Sequence, residues 1–333
     1  MKALFLTDQT DNHLRIGDID KPEPAKGEAL IKIKASALNH RDQWMREGKY
    51  PGIRYETILG SDASGIVEKV NGEGAEWEGR HVVINPNIGW GEDPSVQKSD
   101  YSILGMPVNG TMAEYVSVPV DRLKEIPSHL NFSQAASLPL AGLTAYRALF
   151  THGKLQKGQH VLINGIGGGV AQMAFMFAKA AGATVSVTSG TQEKLDLMKK
   201  KGAAGTYNYK EDNWAKSALK EQGGFHLCID SAGGEGLNNL VKCTRPGGRI
   251  VFYGATTGMP KNLDLFRLFW NQITLQGSTM GNDQEFSDMI DFVADHKLVP
   301  EVDSVRPLAE AEEAFDAMKN FSQTGKLVLE MNA

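Results

Sequence analysis

The sequence predicts an α/β protein of two parts, a β-rich barrel or sandwich and a doubly wound parallel sheet. Three observations predict it. Residues 1 to about 126 hold short apolar or alternating runs separated by Gly and Pro. From about residue 127 helical and strand-like runs alternate. Between them in importance stands the stretch 160–183, H-V-L-I-N-G-I-G-G-G-V-A-Q-M-A-F-M-F-A-K-A-A-G-A, which reads as a buried strand, a glycine loop and a helix.

In chain order, residues 29–35 alternate clearly, and 65–70 and 81–84 follow as further strands. Residues 85–110 are rich in Pro, Gly and Asn without period, and a loop this long is either a surface excursion or part of a substrate pocket. Residues 135–150 read as a helix interrupted near Pro139 and Gly142. The strand 161–163 then leads into the glycines, and Val170, Met173, Ala174 and Phe177 give the next helix its apolar face, with Gly182 as its stop. Strands are expected at 184–188, 207–209, 227–230, 249–253 and 273–276, and helices at 192–201, 214–221 and 237–243. The tail carries a helix (286–294), a strand (299–305), a helix (308–319) and a last strand (326–330) whose natural place is back on the first part. The expected domains are thus 1–126 completed by 286–333, and 127–285.

A strand, glycine loop and helix in that order begin a phosphate-binding βαβ unit: glycines admit the pyrophosphate, and the helix N-terminus offers unpaired N–H groups and a positive dipole end. Gly165 and Gly167 fit the G-x-G-x-x-G register, but Val170 takes the third position, so a plain glycine turn in another doubly wound fold stays open. The next strand ends at Ser189-Gly190-Thr191 with no acid to hold an adenosine ribose, while Glu193 and Asp196 fall on the following helix as surface residues. Small polar residues with Lys194 one turn on leave room and charge for a 2′-phosphate. The expected cofactor is therefore NADPH, with NADH possible, and S-adenosylmethionine is disfavoured.

Composition narrows the class. At 333 residues, 41% hydrophobic and 23% charged, the chain is an ordinary globular protein, and a net charge of -5 gives no footprint for nucleic acid. The run before Asp8 is too short for a signal peptide and no stretch is long enough to span a membrane, so a cytoplasmic protein is expected. Cys228 and Cys243 supply neither a disulfide framework nor a multi-cysteine zinc site, and their surroundings suggest inert core.

Seven strings then carry a resemblance: K-A-S-A-L-N-H-R-D (34–42), I-L-G-S-D-A-S-G-I-V (58–67), G-T-M-A-E-Y-V (110–116), L-P-L-A-G-L-T-A-Y-R-A-L (138–149), the glycine loop, R-P-G-G-R-I-V (245–251) and T-G-K-L-V-L (324–329). In this order the chain resembles the medium-chain dehydrogenase/reductase superfamily, and within it the zinc-independent quinone oxidoreductase-like branch. The resemblance implies a GroES-like β-barrel catalytic domain beside a Rossmann nucleotide-binding domain. Zinc-dependent members carry Cys, His-Glu and a third ligand where this chain has Asn39, Ser61-Asp62 and Leu140, and the cysteine lobe would fall in 85–110, which has no cysteine. No zinc and no other metal is expected. His40, next to Asn39, reads as hydrogen-bonded structure.

The same resemblance places the cofactor on Gly165, Gly167, Gly168, Gly169 and Val170, its 2′-phosphate on Ser189, Lys194 and Tyr209, Thr144 near the nicotinamide ribose or pyrophosphate, and Ser231, Gly254, Ala255 and Ser278 along the nicotinamide half. Without a metal, a carbonyl oxygen must be polarised by hydrogen bonds, which suits quinones and α,β-unsaturated carbonyls, whose charge delocalises. Asn39 and Tyr50 are the candidate donors, with Asp42 in the same loop as orienter and Asp62 as structure; Tyr50 is equally readable as a rim aromatic. Trp44, Trp90, Phe266, Phe269 and Trp270 could line an apolar pocket, although the helical spacing of the last three favours core or dimer packing. The expected activity is NADPH-dependent reduction of a small quinone or enone by a homodimer paired through 273–276, with an enoyl-thioester reductase or a non-catalytic NADPH sensor as alternatives.

Overall fold

The computed structural model describes residues 1–331, so Asn332 and Ala333 of the expected 286–333 stretch lie outside the described residues. The chain forms two compact units, residues 1–143 with 282–331, and Thr144–Gly281. Among the described residues no helix is long and apolar enough to cross a membrane.

The first unit is built on the antiparallel pair Glu28–Ala37 and Asp62–Asn71. Its larger sheet runs Leu123–Glu125, His81–Ile84, Asp62–Asn71, Glu28–Ala37, Lys326–Glu330, Val302–Pro307, with Tyr115–Pro119 also on Glu28–Ala37. Alternation explains the register: Ile31, Ile33, Val67, Val82, Ile84, Leu327 and Leu329 all enter one core, where Phe315 covers them. The last strand returns as expected, with Val328 opposite Ala37, Leu329 opposite Ser36 and Glu330 opposite Ala35. Residues 127–143, expected with the second part, cluster here instead because the Phe132–Ala136 helix packs on these strands, its Ala136 meeting Ala35, Ala37 and Val328. The expected helix 135–150 is three pieces, Phe132–Ala136, Pro139–Tyr146 and a π-helical Arg147–His152. Pro139 starts the second piece, where its missing N–H costs nothing, and Gly142 interrupts no helix.

The segment 85–110 is ordered. Asn87–Ile88 pairs with Ser102–Ile103, Trp90 meets Tyr101 edge-on at 5.2 Å, and the Tyr101 hydroxyl donates to Asn87.

The second unit carries a parallel sheet of six strands whose spatial order is the third, second, first, fourth, fifth and sixth in sequence. They are His160–Ile163, Thr184–Ser189, Gly205–Asn208, Phe225–Asp230, Thr244–Phe252 and Thr274–Gly277. The first strand therefore flanks the point where the order reverses, the place at which doubly wound sheets open a crevice at their carboxyl ends. Cys228 and Cys243 are buried here, as expected. Phe266, Phe269 and Trp270, on the Leu265–Trp270 helix, are not core: they are 65%, 64% and 70% exposed, because the helix turns this face to solvent beside the open edge of the last strand.

Candidate active site

The glycine loop stands at the end of the central strand. Gly165 adopts φ +74°, a left-handed conformation that other residues enter at a cost, and its N–H donates to Thr188 Oγ1 at 2.9 Å. Gly168 is the N-cap of the Gly169–Ala180 helix, and no side chain caps this end, so the N–H groups of Gly169 and Val170 face outward with the helix dipole behind them. A Cβ at Gly165 or Gly168 would meet nothing within 4 Å, which marks an open cradle. The residues fit a dinucleotide pyrophosphate. A buried network absent from the sequence reading fixes the cradle: Asn164 Nδ2 donates to Asp230 Oδ1 at 2.8 Å, Thr188 Oγ1 donates to Asn164 Oδ1 at 2.6 Å, and Gln172 Nε2 donates to the Ile166 carbonyl at 2.7 Å. It ties the ends of three strands together, a pattern that only tertiary pairing reveals.

The flanking candidates fall on both sides of this loop. Ser189 closes its strand and its carbonyl accepts the Tyr209 N–H at 3.1 Å, so the two expected phosphate contacts are neighbours. A Cβ on Gly190 would lie 2.5 Å from the Tyr209 hydroxyl and 2.9 Å from Lys210 Cε, which brings an unexpected cation, the exposed Lys210, to this turn. Lys194 sits on the Gln192–Lys200 helix. On the other side, Thr256 N–H and Oγ1 donate to the Ser231 carbonyl, and a Cβ on Gly254 would come within 3.0 Å of it, so Ser231, Gly254 and Ala255 lie together at the ends of two adjacent strands. Ser278 follows the next strand, and its buried hydroxyl has no hydrogen-bond partner among the described residues, as a group awaiting a ligand would. Thr144 is buried and its hydroxyl contacts Met280 Sδ at 3.8 Å.

In the first unit, Asn39 and Asp42 are not in a loop. Asn39 is the N-cap of the His40–Arg46 helix and Asp42 its third residue, an arrangement in which the Asn39 N–H donates to Asp42 Oδ2 at 2.8 Å. The polar positions highlighted by the resemblance converge on one side chain, Lys326, 3% exposed. Its ammonium donates to Asn39 Oδ1 at 2.6 Å, to the Leu38 carbonyl at 2.8 Å and to Asp62 Oδ2 at 3.0 Å. Asn39 Nδ2 donates to Ser61 Oγ at 3.1 Å, and the Leu140 N–H donates to Asp62 Oδ1 at 3.0 Å. Lysine has donors only, so the Asn39 oxygen must face it and the amide nitrogen must face Ser61.

Tyr50 is outside this network. Its hydroxyl accepts from Arg41 Nε at 3.4 Å, and Arg41, itself buried, also donates to the Leu104 carbonyl at 2.6 Å, tying the segment 85–110 to the helix. His40 Nε2 is buried with no hydrogen-bond partner among the described residues; its ring lies between Trp44 and Phe321, and burial, then the Lys326 charge, push its pKa down, which favours the neutral ring. Trp90 lines a cavity of about 680 Å³ with Ile88, Leu104 and Arg122, but that cavity reaches none of Asn39, Ser61, Asp62 and Lys326 and is not the polar site.

Burial pushes Asp42 from the ordinary 3.8 up to about 6, against the pull of Arg41, and its Oδ1 has no hydrogen-bond partner among the described residues. The unfolded chain therefore releases this proton first. Stability held below pH 4 is lost as pH rises through about 6, by roughly 3 kcal/mol. Asp42→Asn keeps the acceptor for Asn39 and is expected to flatten that window and to stabilise the protein at pH 7; urea titrations at pH 4.5 and 7 giving the same pH dependence as the parent would contradict it.

No three His, Cys, Asp or Glu side chains among the described residues cluster as metal ligands. Asn39, Ser61 and Leu140 are not a zinc donor set, and a fixed ammonium beside them opposes a dication, so the residues do not fit zinc.

Comparison with known proteins agrees with both units. The alcohol dehydrogenase GroES-like domain family matches residues 25–128, and the family described as zinc-binding dehydrogenase matches 169–295. A zinc-type alcohol dehydrogenase-like protein of Leptosphaeria maculans is 34% identical over 96% of this chain and 94% of its own length. The quinone oxidoreductase of Mus musculus is 28% identical over 94% and 92%. A crystal structure of an NAD-dependent alcohol dehydrogenase superposes with a TM-score of 0.93 at 34% identity, covering 100% of both chains. The protein is an NAD(P)H-dependent oxidoreductase acting on small molecules. With a GroES-like unit, a Rossmann sheet and relatives that match its whole length, the chain belongs to the medium-chain dehydrogenase/reductase superfamily.

Proposed function

We propose that this protein is a zinc-independent reductase of quinones or α,β-unsaturated carbonyls that prefers NADPH. The observation that carries the reading is the cluster of Asn39, Ser61, Asp62 and Lys326, which offers an amide N–H where the zinc-dependent relatives place a metal. When bound, the nucleotide supplies a hydride from its nicotinamide ring. The chain's own residues do the rest. One N–H of Asn39 is committed to Ser61, and its second N–H is the donor for a substrate oxygen as charge develops there. A delocalised quinone or enone oxygen needs no stronger acid than this. Val170 and Gly169 N–H groups hold the pyrophosphate, and Ser189, Lys194, Tyr209 and Lys210 supply hydroxyls and charge for a 2′-phosphate.

The test is oxidation of NADPH, with NADH in parallel, by chelator-treated protein against phenanthrenequinone, an enone, an enoyl thioester and a primary aldehyde. Quinone or enone turnover that survives chelation, with about tenfold preference for NADPH that Lys210→Ala reduces, is the expected result. Activity restricted to the aldehyde and abolished by chelation overturns the reading. Tight NADPH binding with no turnover selects the sensor instead.

The exposed Phe266 and Trp270 stack at 6.0 Å beside the open Thr274–Gly277 edge, and an apolar patch next to unpaired strand groups supports a homodimer through that edge. Trp270→Glu is expected to shift the sedimentation coefficient from dimer to monomer; a monomeric parent refutes this.

A further inference from the structure

We propose that Lys326 is the resident cation of the reaction site, a positioning residue that polarises the Asn39 carboxamide and takes over the charge that a metal supplies in zinc-dependent relatives. The inference rests on the reading of Asn39 as the donor to the substrate oxygen. Four observations carry it. The ammonium is 3% exposed and is held by Asp62, itself fully buried, so its position does not vary with solvent. Its shortest contact, 2.6 Å, is to Asn39 Oδ1 and not to its carboxylate partner at 3.0 Å. Two further bonds fix that carboxylate, from the Leu140 N–H at 3.0 Å and from Ser61 Oγ at 3.5 Å. The Asn39 side chain is therefore clamped at its oxygen by a cation and at one N–H by Ser61 Oγ, leaving the second N–H as its remaining donor.

The physical consequence follows from hydrogen-bond cooperativity. An amide whose oxygen accepts from a cation loses electron density at nitrogen, and its N–H becomes a stronger donor. The lysine never touches the substrate, and it binds neither nucleotide nor metal. It acts through the amide, and it also fixes which end of the amide faces the site, since an uncharged or reversed neighbour would allow the oxygen to point toward the substrate and repel it.

The test compares steady-state NADPH-dependent reduction of phenanthrenequinone, with NADPH affinity from fluorescence titration and melting curves as controls, across the parent, Asn39→Ala, Lys326→Met/Asp62→Asn, and the triple variant. Removing both charges together avoids an orphaned carboxylate. Asn39→Ala is expected to lower kcat by about 100-fold. The paired variant is expected to lower kcat by about 10-fold or more with NADPH affinity unchanged, and the triple variant is expected to be no slower than Asn39→Ala, because the lysine has nothing left to act through. Should the paired variant not fold, Lys326→Gln/Asp62→Asn, which keeps a donor at Asn39 and removes the charge without orphaning a carboxylate, is expected to show the same loss in kcat. If Asn39→Ala lowers kcat while the charge-removing variant leaves it unchanged, or if the triple variant falls by the product of the two losses, Lys326 serves structure alone and the inference is overturned. If Asn39→Ala leaves kcat unchanged, the reading of Asn39 fails and this inference falls with it.

Discussion

Lys326→Met is expected to cost about 3–5 kcal/mol of unfolding free energy, among the largest effects any single substitution produces here. The loss does not come from the ion pair's own attraction, which desolvation largely offsets. It comes from what remains: Asp62 is fully buried, and without the ammonium its carboxylate keeps the Leu140 N–H and a weak Ser61 contact and has no countercharge. Asn39 Oδ1 and the Leu38 carbonyl lose their donor at the same time. Adding Asp62→Asn should restore most of the stability, since an amide can be buried neutral. Chemical denaturation of the single and paired variants reads the difference directly; a single variant that unfolds like its parent would show that water reaches Asp62.

Gly110→Ala is expected to destabilise by about 3 kcal/mol or to prevent folding. A Cβ there would sit 2.0 Å from the Gly60 carbonyl oxygen and 2.6 Å from that of Leu59, and both are backbone atoms with no rotamer by which to withdraw. Gly105 meets the same carbonyl, at 2.6 Å, so two glycines of the long segment grip one peptide next to Ser61. Gly89→Ala is the control in the same segment: its φ of +68° is strained for alanine, but nothing lies within 4 Å, and about 1 kcal/mol is expected. Equal melting temperatures for the two variants would mean that the segment does not depend on this contact.

The residues differ in how much of this they announced. Strands at 81–84 and 326–330 match the sequence reading residue for residue, and the helix expected at about 237–243 spans Leu237–Cys243, because each is a continuous apolar run or a clean periodic one. Lys2–Leu6 and Leu14–Asp18 escaped it, since a five-residue strand such as L-R-I-G-D presents too little alternation to stand out. The His40–Arg46 helix escaped for a different reason: it is seven residues long and polar, and its start depends on a cap. In the site, Asn39 and Asp42 were visible as polar residues in a recognisable string. Lys326 also stood in one, T-G-K-L-V-L, but its role was hidden, because a lysine heading the strand K-L-V-L-E reads as a solvent-facing end, and its partner Asp62 lies 264 residues away. Lys210 was hidden in the same way, since only the strand order brings it to Gly190.

That separation has a consequence for how the molecule is made. The second unit is one continuous stretch, Thr144–Gly281, and every strand of its sheet lies within it. The first unit is split, and Lys326–Glu330 must add to Glu28–Ala37 across almost the whole chain. A growing polypeptide therefore holds the complete nucleotide-binding half while the other half still lacks its closing strand and the ammonium that pairs with the buried Asp62. Long-range pairing of this kind is slow and entropically costly to close. The side chain that completes the polar site is thus also the latch on the first unit, and it arrives after the second unit is whole.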